Sequence, residues 1–263
     1  MILDDIVEAT RERVEKLKQK EPLKSIKDRA LEIASKENEP ETTFYSQLQS
    51  PGIHFICEVK KASPSKGIIA SEFDYIKIAK EYEEIGAACI SVLTEPSFFQ
   101  GDNEYLTRIK QTVSIPVLRK DFIIDEYQIY EAKTLHADCI LLIAAILDKQ
   151  QLKEYIEISH GLHMNALVEV HDRDELKKAL EAGASIIGVN NRNLKNFTVD
   201  ITRALSLREK VPKDIVFIAE SGVKTAEDVL LLKENRVNGV LIGETFMKSN
   251  DKGKTMCELT KLL

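Results

Sequence analysis

The run EVKKASPSKG at 58–67 sets a carboxylate and two lysines at the end of an apolar, strand-like segment, HFICEV, and then turns through Pro64 and Gly67. Charge is costly to bury, so an acid and cations at a strand end mark a site where they are used together. Side chains alternate across a strand, so Glu58 and Lys60 share one face while Val59 takes the other. An acid and a cation then project into the same space, where they can hold an anion and move a proton. Polar residues recur at the ends of later apolar runs: Arg119 and Lys120, Glu169, Asn190 and Asn191, and Glu220 and Ser221. Leu118 shares a face with Lys120, and Leu167 with Glu169, so apolar layers lead up to a charged mouth fed by five strands.

These residues need elements to hold them. Eight short apolar or β-branched runs recur: IHFICEV, ACISVL, PVLRK, DCILLI, NALVEV, SIIGVN, IVFIAE and NGVLIG. Charged, helix-periodic stretches separate them at 74–85, 126–135, 149–158, 173–182 and 225–233. Alternating strand and helix implies a parallel sheet covered by helices. Eight units, with Gly86, Gly183 and Gly239 before the next strand as helix ends or turns, favour a closed α/β (β/α)8 TIM barrel over an open doubly wound sheet. No glycine-rich dinucleotide fingerprint or P-loop follows any of these runs. Ahead of them, Leu3, Ile6, Val7, Val14 and Leu17 lie at helical spacing, and Pro22 and the polar stretch 35–43 read as a break and a connector. Residues 1 to about 50 hold too few apolar side chains for a core of their own. They are expected as an N-terminal helical extension packed on the barrel, within one domain spanning 1–263.

A chain of 263 residues, 43% hydrophobic and 30% charged, has the composition of an ordinary globular protein, not of a disordered one. Its longest apolar run, 139–147, is far shorter than the roughly 20 residues of a membrane helix. Asp4, Asp5 and Glu8 are unlike the start of a signal peptide, so a cytoplasmic protein without a membrane partner is expected. The cysteines at 57, 89, 139 and 257 form no CxxC pair and read as buried free thiols. A formal charge of −6 argues against a nucleic-acid surface, so an anionic ligand must be held by local cations and backbone amides.

Two glycine-bearing loops supply such amides. After the seventh and eighth runs, Glu220-Ser221-Gly222 and Gly243-Glu244-Thr245 put glycine where backbone approaches a ligand and a helix starts. Barrels often bind phosphate there, so a phosphorylated substrate is expected. Glu157, His160 and His163 have the spacing of metal ligands, but they precede the fifth run at the noncatalytic end. They read as solvated or capping groups, and no metal site is expected. His171 lies two residues beyond Glu169, beside Asp172 and Arg173. It reads as an N-cap neighbour or surface group with no part in the chemistry, so His171→Ala is expected to have little effect.

Taken in order, EVKKASPSKG, LRKDF, VEVHD, GVNNRNL, AESG and GETFM resemble the indole-3-glycerol phosphate synthase family, from about residue 1 to the C-terminus. The opening ILDDIV, with Glu12 and Val14, is similar to the family's N-terminal helix. Glu126, where proline is common, and His136, where glycine is common, depart from the family outside its motifs. The resemblance implies a carboxy-lyase of tryptophan biosynthesis. It closes the indole ring of 1-(2-carboxyphenylamino)-1-deoxyribulose 5-phosphate with loss of carbon dioxide and water, and needs no metal or organic cofactor.

Attack of an aryl carbon on a ketone calls for an acid, and a lysine held among cations and apolar walls has its pKa lowered enough to serve. Lys120 is expected in that role. Lys60, beside Glu58, is expected to hold the substrate carboxylate and to share in proton transfer. Dehydration calls for a carboxylate base, which Glu169 fits, with Glu58 as partner in a relay. Asn190 and Ser221 would hydrogen-bond sugar hydroxyls or the developing oxyanion. Ser221, Gly222, Gly243 and Glu244 would hold the phosphate largely through amides. By the same resemblance Phe99, Phe122 and Leu194 wall the aromatic ring, Arg192 lies near the mouth and Ser63 joins the substrate-binding set, in a pocket dry enough to strengthen each charged contact. Two alternatives stay open. One is another phosphate-binding barrel such as phosphoribosylanthranilate isomerase, whose reaction needs neither Lys60 nor an acid on the third strand. The other is a catalytically silent barrel acting as a binding partner. A monomer or weak homodimer is expected.

Overall fold

The computed structural model describes residues 2–37, 43–70, 72–192 and 198–263. Three helices come first: α1 (Ile2–Lys20), α2 (Leu23–Lys36) and α3 (Phe44–Gln49). Eight parallel strands follow: β1 (His54–Val59), β2 (Cys89–Leu93), β3 (Val117–Lys120), β4 (Cys139–Ile143), β5 (Asn165–Val170), β6 (Ile186–Asn190), β7 (Val216–Glu220) and β8 (Gly239–Ile242). Each pairs with the next, and β8 pairs back onto β1 with His54 opposite Gly239, closing the barrel. Two-residue strands, Ala62–Ser63 and Gly67–Ile68, form a small antiparallel hairpin after β1. The remaining helices are α4 (Tyr75–Glu84), α5 (Pro96–Phe99), α6 (Asn103–Lys110), α7 (Glu126–Thr134), α8 (Lys149–Gly161), α9 (Arg173–Glu181), α10 (Thr202–Arg208), α11 (Ala226–Glu234), α12 (Glu244–Met247) and α13 (Lys252–Thr260). Among the described residues, no helix is long and apolar enough to cross a membrane.

Local chemistry sets these boundaries. Helices α4, α6, α7, α8, α9 and α13 each start on an aspartate whose carboxylate accepts a backbone N–H from the first turn, which supplies orphan donors with a partner. Gly86 and Gly183 take left-handed conformations (φ 83° and 89°) after α4 and α9, as expected of helix ends. Gly239 does not: it is the first residue of β8, and Arg236 (φ 61°) makes the left-handed turn after α11. His136 (φ 63°) makes the corresponding turn before β4, so the loop keeps a left-handed bend without glycine.

Alternation along the strands divides the core in two. Ile56, Leu118, Leu141, Leu167, Ile186, Ile218 and Leu241 fill the barrel interior, while residues of opposite parity, such as Cys57, Val168 and Ile187, pack against the helices. Helix α3 closes the bottom: Phe44 and Leu48 join the interior cluster, and the Tyr45 N–H donates to Asn165 Oδ1 at the start of β5 (3.0 Å). One step above the apolar layer, the same parity delivers Glu58, Lys120, Glu169 and Glu220 to the top.

The N-terminal segment departs from expectation at one boundary. Ser35 and Lys36 belong to α2, so the expected connector at 35–43 starts later; its residues 38–42 lie outside the described residues. Helix α1 is also pinned to the loop after β3, where Arg13 pairs with Asp121 and Lys18 with Asp125, both at 2.7 Å. Cys57, Cys89 and Cys139 are buried free thiols, but Cys257 is exposed.

Candidate active site

Parity and register together build the mouth. Lys120 ends β3 and reaches across the barrel to Glu220 on β7, with which it forms an ion pair, and to Glu169 on β5 at 3.5 Å. Glu58 and Lys60 pair at the end of β1, where the Tyr82 hydroxyl fixes the strand by donating to the Glu58 carbonyl (3.1 Å). Two glycines make room for these side chains. A Cβ at Gly243 would fall on the Glu58 carboxylate, and one at Gly188, in mid-β6, would fall on that of Glu220. Phe99 on α5 and Phe122 after β3 lie with ring centroids 5.9 Å apart, forming an aromatic wall.

The electrostatics separate the two central carboxylates. Burial pushes Glu220 up, to about 7, and the charges of Glu169 and Glu58 add to that against the pull of Lys120. Burial also acts on Glu169, but Lys120, His171 and hydrogen bonds from Asn190 and Glu220 hold it below the usual carboxylate range. Glu220 therefore takes a proton far more readily than Glu169, so the two carboxylates are set apart as an acid and a base side by side. Lys120 differs from expectation. Its neighbours are carboxylates, not cations: burial alone would lower it, but Glu220, Glu169 and Glu58 hold it above the ordinary lysine range.

Beside this cluster lies a groove of mixed charge. Ser221 (φ 65°) and Gly222 (φ 95°) are consecutive left-handed residues after β7; for a serine this is a strained conformation of the kind that gathers at functional sites. Asn191, fully buried, donates to the Ser221 carbonyl (3.0 Å) and so fixes the turn. Helix α12 starts at Glu244, immediately after Gly243. Lys248 (2.6 Å), Lys66 (3.8 Å) and Arg192 (3.9 Å) converge on the Glu244 carboxylate.

Glu58, Lys60, Ser63, Phe99, Lys120 and Phe122 line one cavity with Glu169, Asn190, Arg192, Ser221, Gly243 and Glu244. Gly222 lines the adjoining groove. Leu194 lies outside the described residues. Arg119 is not at the mouth: it faces outward, 1% exposed, bound to Glu131, Asp121, Asn103 and the Gln128 carbonyl. His160, Glu157 and His163 are exposed, and Glu157 pairs with Lys153 (3.9 Å). Sequence reasoning gave no role to Glu220, although a glycine in the middle of β6 is the trace its carboxylate leaves. It also missed that Ile2, Leu3 and Ile6 of α1 wall the same cavity. Their stripe signals a buried helix face but not what it covers. His171 is no surface group: its side chain is 14% exposed and its Nε2 faces Glu169 at 3.5 Å.

A closed (β/α)8 barrel with two lysines and three buried carboxylates at its mouth is an acid–base enzyme. Comparison with known proteins narrows the class. The family model for indole-3-glycerol phosphate synthase matches residues 3–259. The chain is 53% identical over 259 residues to the indole-3-glycerol phosphate synthase of Ruminiclostridium cellulolyticum, covering 98% of each. It is 54% identical over 259 residues to that of Endomicrobium trichonymphae, covering 98% of this chain and 99% of the other. Among solved structures, 3-hexulose-6-phosphate synthase from Salmonella typhimurium matches with a TM-score of 0.65 at 13% identity, covering 80% of this chain and 97% of that one, a likeness of fold alone. The chain belongs to the indole-3-glycerol phosphate synthase family, the carboxy-lyases of tryptophan biosynthesis. Neither the isomerase nor the silent barrel finds support in these comparisons.

Proposed function

We propose that the mouth closes the indole ring of 1-(2-carboxyphenylamino)-1-deoxyribulose 5-phosphate, with Lys120 as general acid and Glu169 as general base. The observation that carries this reading is the Lys120 ammonium bracketed by the buried carboxylates of Glu169 and Glu220, the first held low and the second raised, in one cavity with Lys60, Glu58 and the Phe99–Phe122 wall. The substrate ring packs on the two phenylalanines and its carboxylate meets Lys60. The phosphate takes the amides of Ser221, Gly222, Gly243 and Glu244, and Lys66, Arg192 and Lys248 turn to it from the Glu244 carboxylate.

The aryl carbon bearing the carboxylate attacks the ketone, and Lys120 Nζ gives a proton to the oxygen as the carbon–carbon bond forms. An alkoxide is basic enough to take a proton from an ammonium held above its usual range. The bond to the carboxylate then breaks, carbon dioxide leaves, and its electron pair restores the aromatic ring. The new hydroxyl takes a second proton from Lys60 Nζ and departs as water, while Glu169 removes the proton from the neighbouring carbon to complete the indole. Glu58 orients Lys60, and Asn190 and Ser221 hydrogen-bond the sugar hydroxyls.

Residues 1–263 act as one domain in this reading, because α1 walls the same cavity as the strand ends. The working enzyme is a cytoplasmic monomer or weak homodimer that binds no nucleic acid. Incubation with the substrate, followed by indole fluorescence, tests the proposal. A rise proportional to enzyme is expected. A folded protein that leaves the substrate unchanged would overturn it.

A further inference from the structure

His171 is the group nearest Glu169 that the ring closure does not use. It immediately precedes Asp172, the N-cap of α9, and is held twice by Glu175 in the first turn of that helix. Its backbone N–H donates to Glu175 Oε2 (2.7 Å), and its Nδ1 lies 3.2 Å from the same oxygen. The ring is therefore oriented, with Nδ1–H directed at Glu175. The other nitrogen, Nε2, is buried without a hydrogen-bond partner and faces Glu169 Oε1 at 3.5 Å. A buried, unpartnered ring nitrogen aimed at a carboxylate calls for an account, since such atoms are costly to leave unpaired.

Glu169 poses a matching problem. Its side chain is 4% exposed, and the base must lose the proton it takes from substrate before the next turnover. Exposure rises along the row from 4% at Glu169 to 14% at His171 and 18% at Glu175. We propose that His171, oriented by Glu175, carries the proton taken by Glu169 from this buried base to solvent. The inference rests on Glu169 being the base. Glu169 Oε1–H gives its proton to His171 Nε2, the imidazolium gives its Nδ1 proton to Glu175 Oε2, and Glu175 gives it to water. One proton crosses and no other bond changes. His171 does not touch the reacting atoms; it is a positioning residue that acts through Glu169.

The charged groups facing His171 are Glu169 on β5, Glu175 on α9 and Glu220 on β7, with Lys120 of β3 beyond Glu169. Burial works against its charged form, but the hydrogen bond to Glu175 and the charges of Glu169, Glu175 and Glu220 raise it above the ordinary histidine value, so the ring accepts a proton more readily than a free imidazole.

The test is the steady-state kcat for indole formation in His171→Ala and His171→Gln, with and without imidazole, beside Glu169→Gln. The expected result is about a 10-fold or greater loss in both histidine variants. KM should stay within about 2-fold, and imidazole should restore His171→Ala in proportion to its concentration while leaving the wild type unmoved. A structural role would give neither the buffer dependence nor an equal loss in the isosteric glutamine variant. If Glu169→Gln is inactive while both histidine variants turn over at the wild-type rate, or are slow without rescue, the relay is overturned and the base assignment stands. If Glu169→Gln itself turns over normally, the base assignment fails and the relay fails with it.

Discussion

Lys120→Met removes the charge at the centre of the site while keeping an unbranched apolar stem. Loss of a positioned general acid lowers turnover by about 100-fold or more. The structure adds a second consequence. Glu58, Glu169 and Glu220, each 5% exposed or less, share this ammonium. Removing one partner from a buried ion pair costs roughly 3–5 kcal/mol as long as the stranded charge remains. A stranded carboxylate escapes that cost by taking up a proton, at about 1.4 kcal/mol per unit of pKa shift. Without Lys120, Glu169 rises above its ordinary value and joins Glu220, which already stands at about 7. A carboxyl raised in the folded state contributes stability that is fully present below its unfolded value and lost as pH climbs through the folded one. The variant should therefore lie close to the wild type at pH 5 and fall short by roughly 3 kcal/mol at pH 8. Urea denaturation at the two pH values, alongside single-turnover indole fluorescence, measures both effects. Near-normal turnover, or a stability deficit equal at both pH values, would refute the reasoning.

Other substitutions probe the remaining parts. Glu169→Gln should lower kcat by about 100-fold or more with the fold intact, read by turnover and circular dichroism; a wild-type rate would move the base elsewhere. Gly243→Ala should lower kcat as well as raise KM, because the added methyl would fall on the Glu58 carboxylate and turn it from Lys60; a change in KM alone would make Gly243 a purely phosphate-side residue. Glu244→Gln should lower KM by about 5-fold, since roughly 1 kcal/mol of repulsion between its carboxylate and the substrate phosphate is removed. A higher KM would mean that the carboxylate itself holds the substrate.

Much of this architecture is legible in the residue order because strand parity is local. Leu118 with Lys120 and Leu167 with Glu169 place the mouth from sequence, and the same rule sends Arg119 outward, where it forms a buried network with Glu131 and Asp121. What parity cannot supply is how many carboxylates meet one ammonium. The contacts of Lys120 with Glu169 and Glu220 depend on barrel closure, which brings residues up to 100 apart in sequence to one point. For the same reason a lysine expected among cations stands among acids. The wall formed by Ile2, Leu3 and Ile6 depends on where α1 docks, and Arg13 and Lys18 fix that docking through aspartates more than 100 positions away. Left-handed turns at His136 and Arg236 escape a reading that looks for glycine alone.

The most direct test of the central claim uses substrate labelled with 13C in its carboxylate, with indole fluorescence and released gas followed together. Ring closure at this mouth predicts one labelled carbon dioxide for each indole formed, at the same rate. Folded enzyme that consumes substrate without releasing labelled carbon dioxide would contradict it.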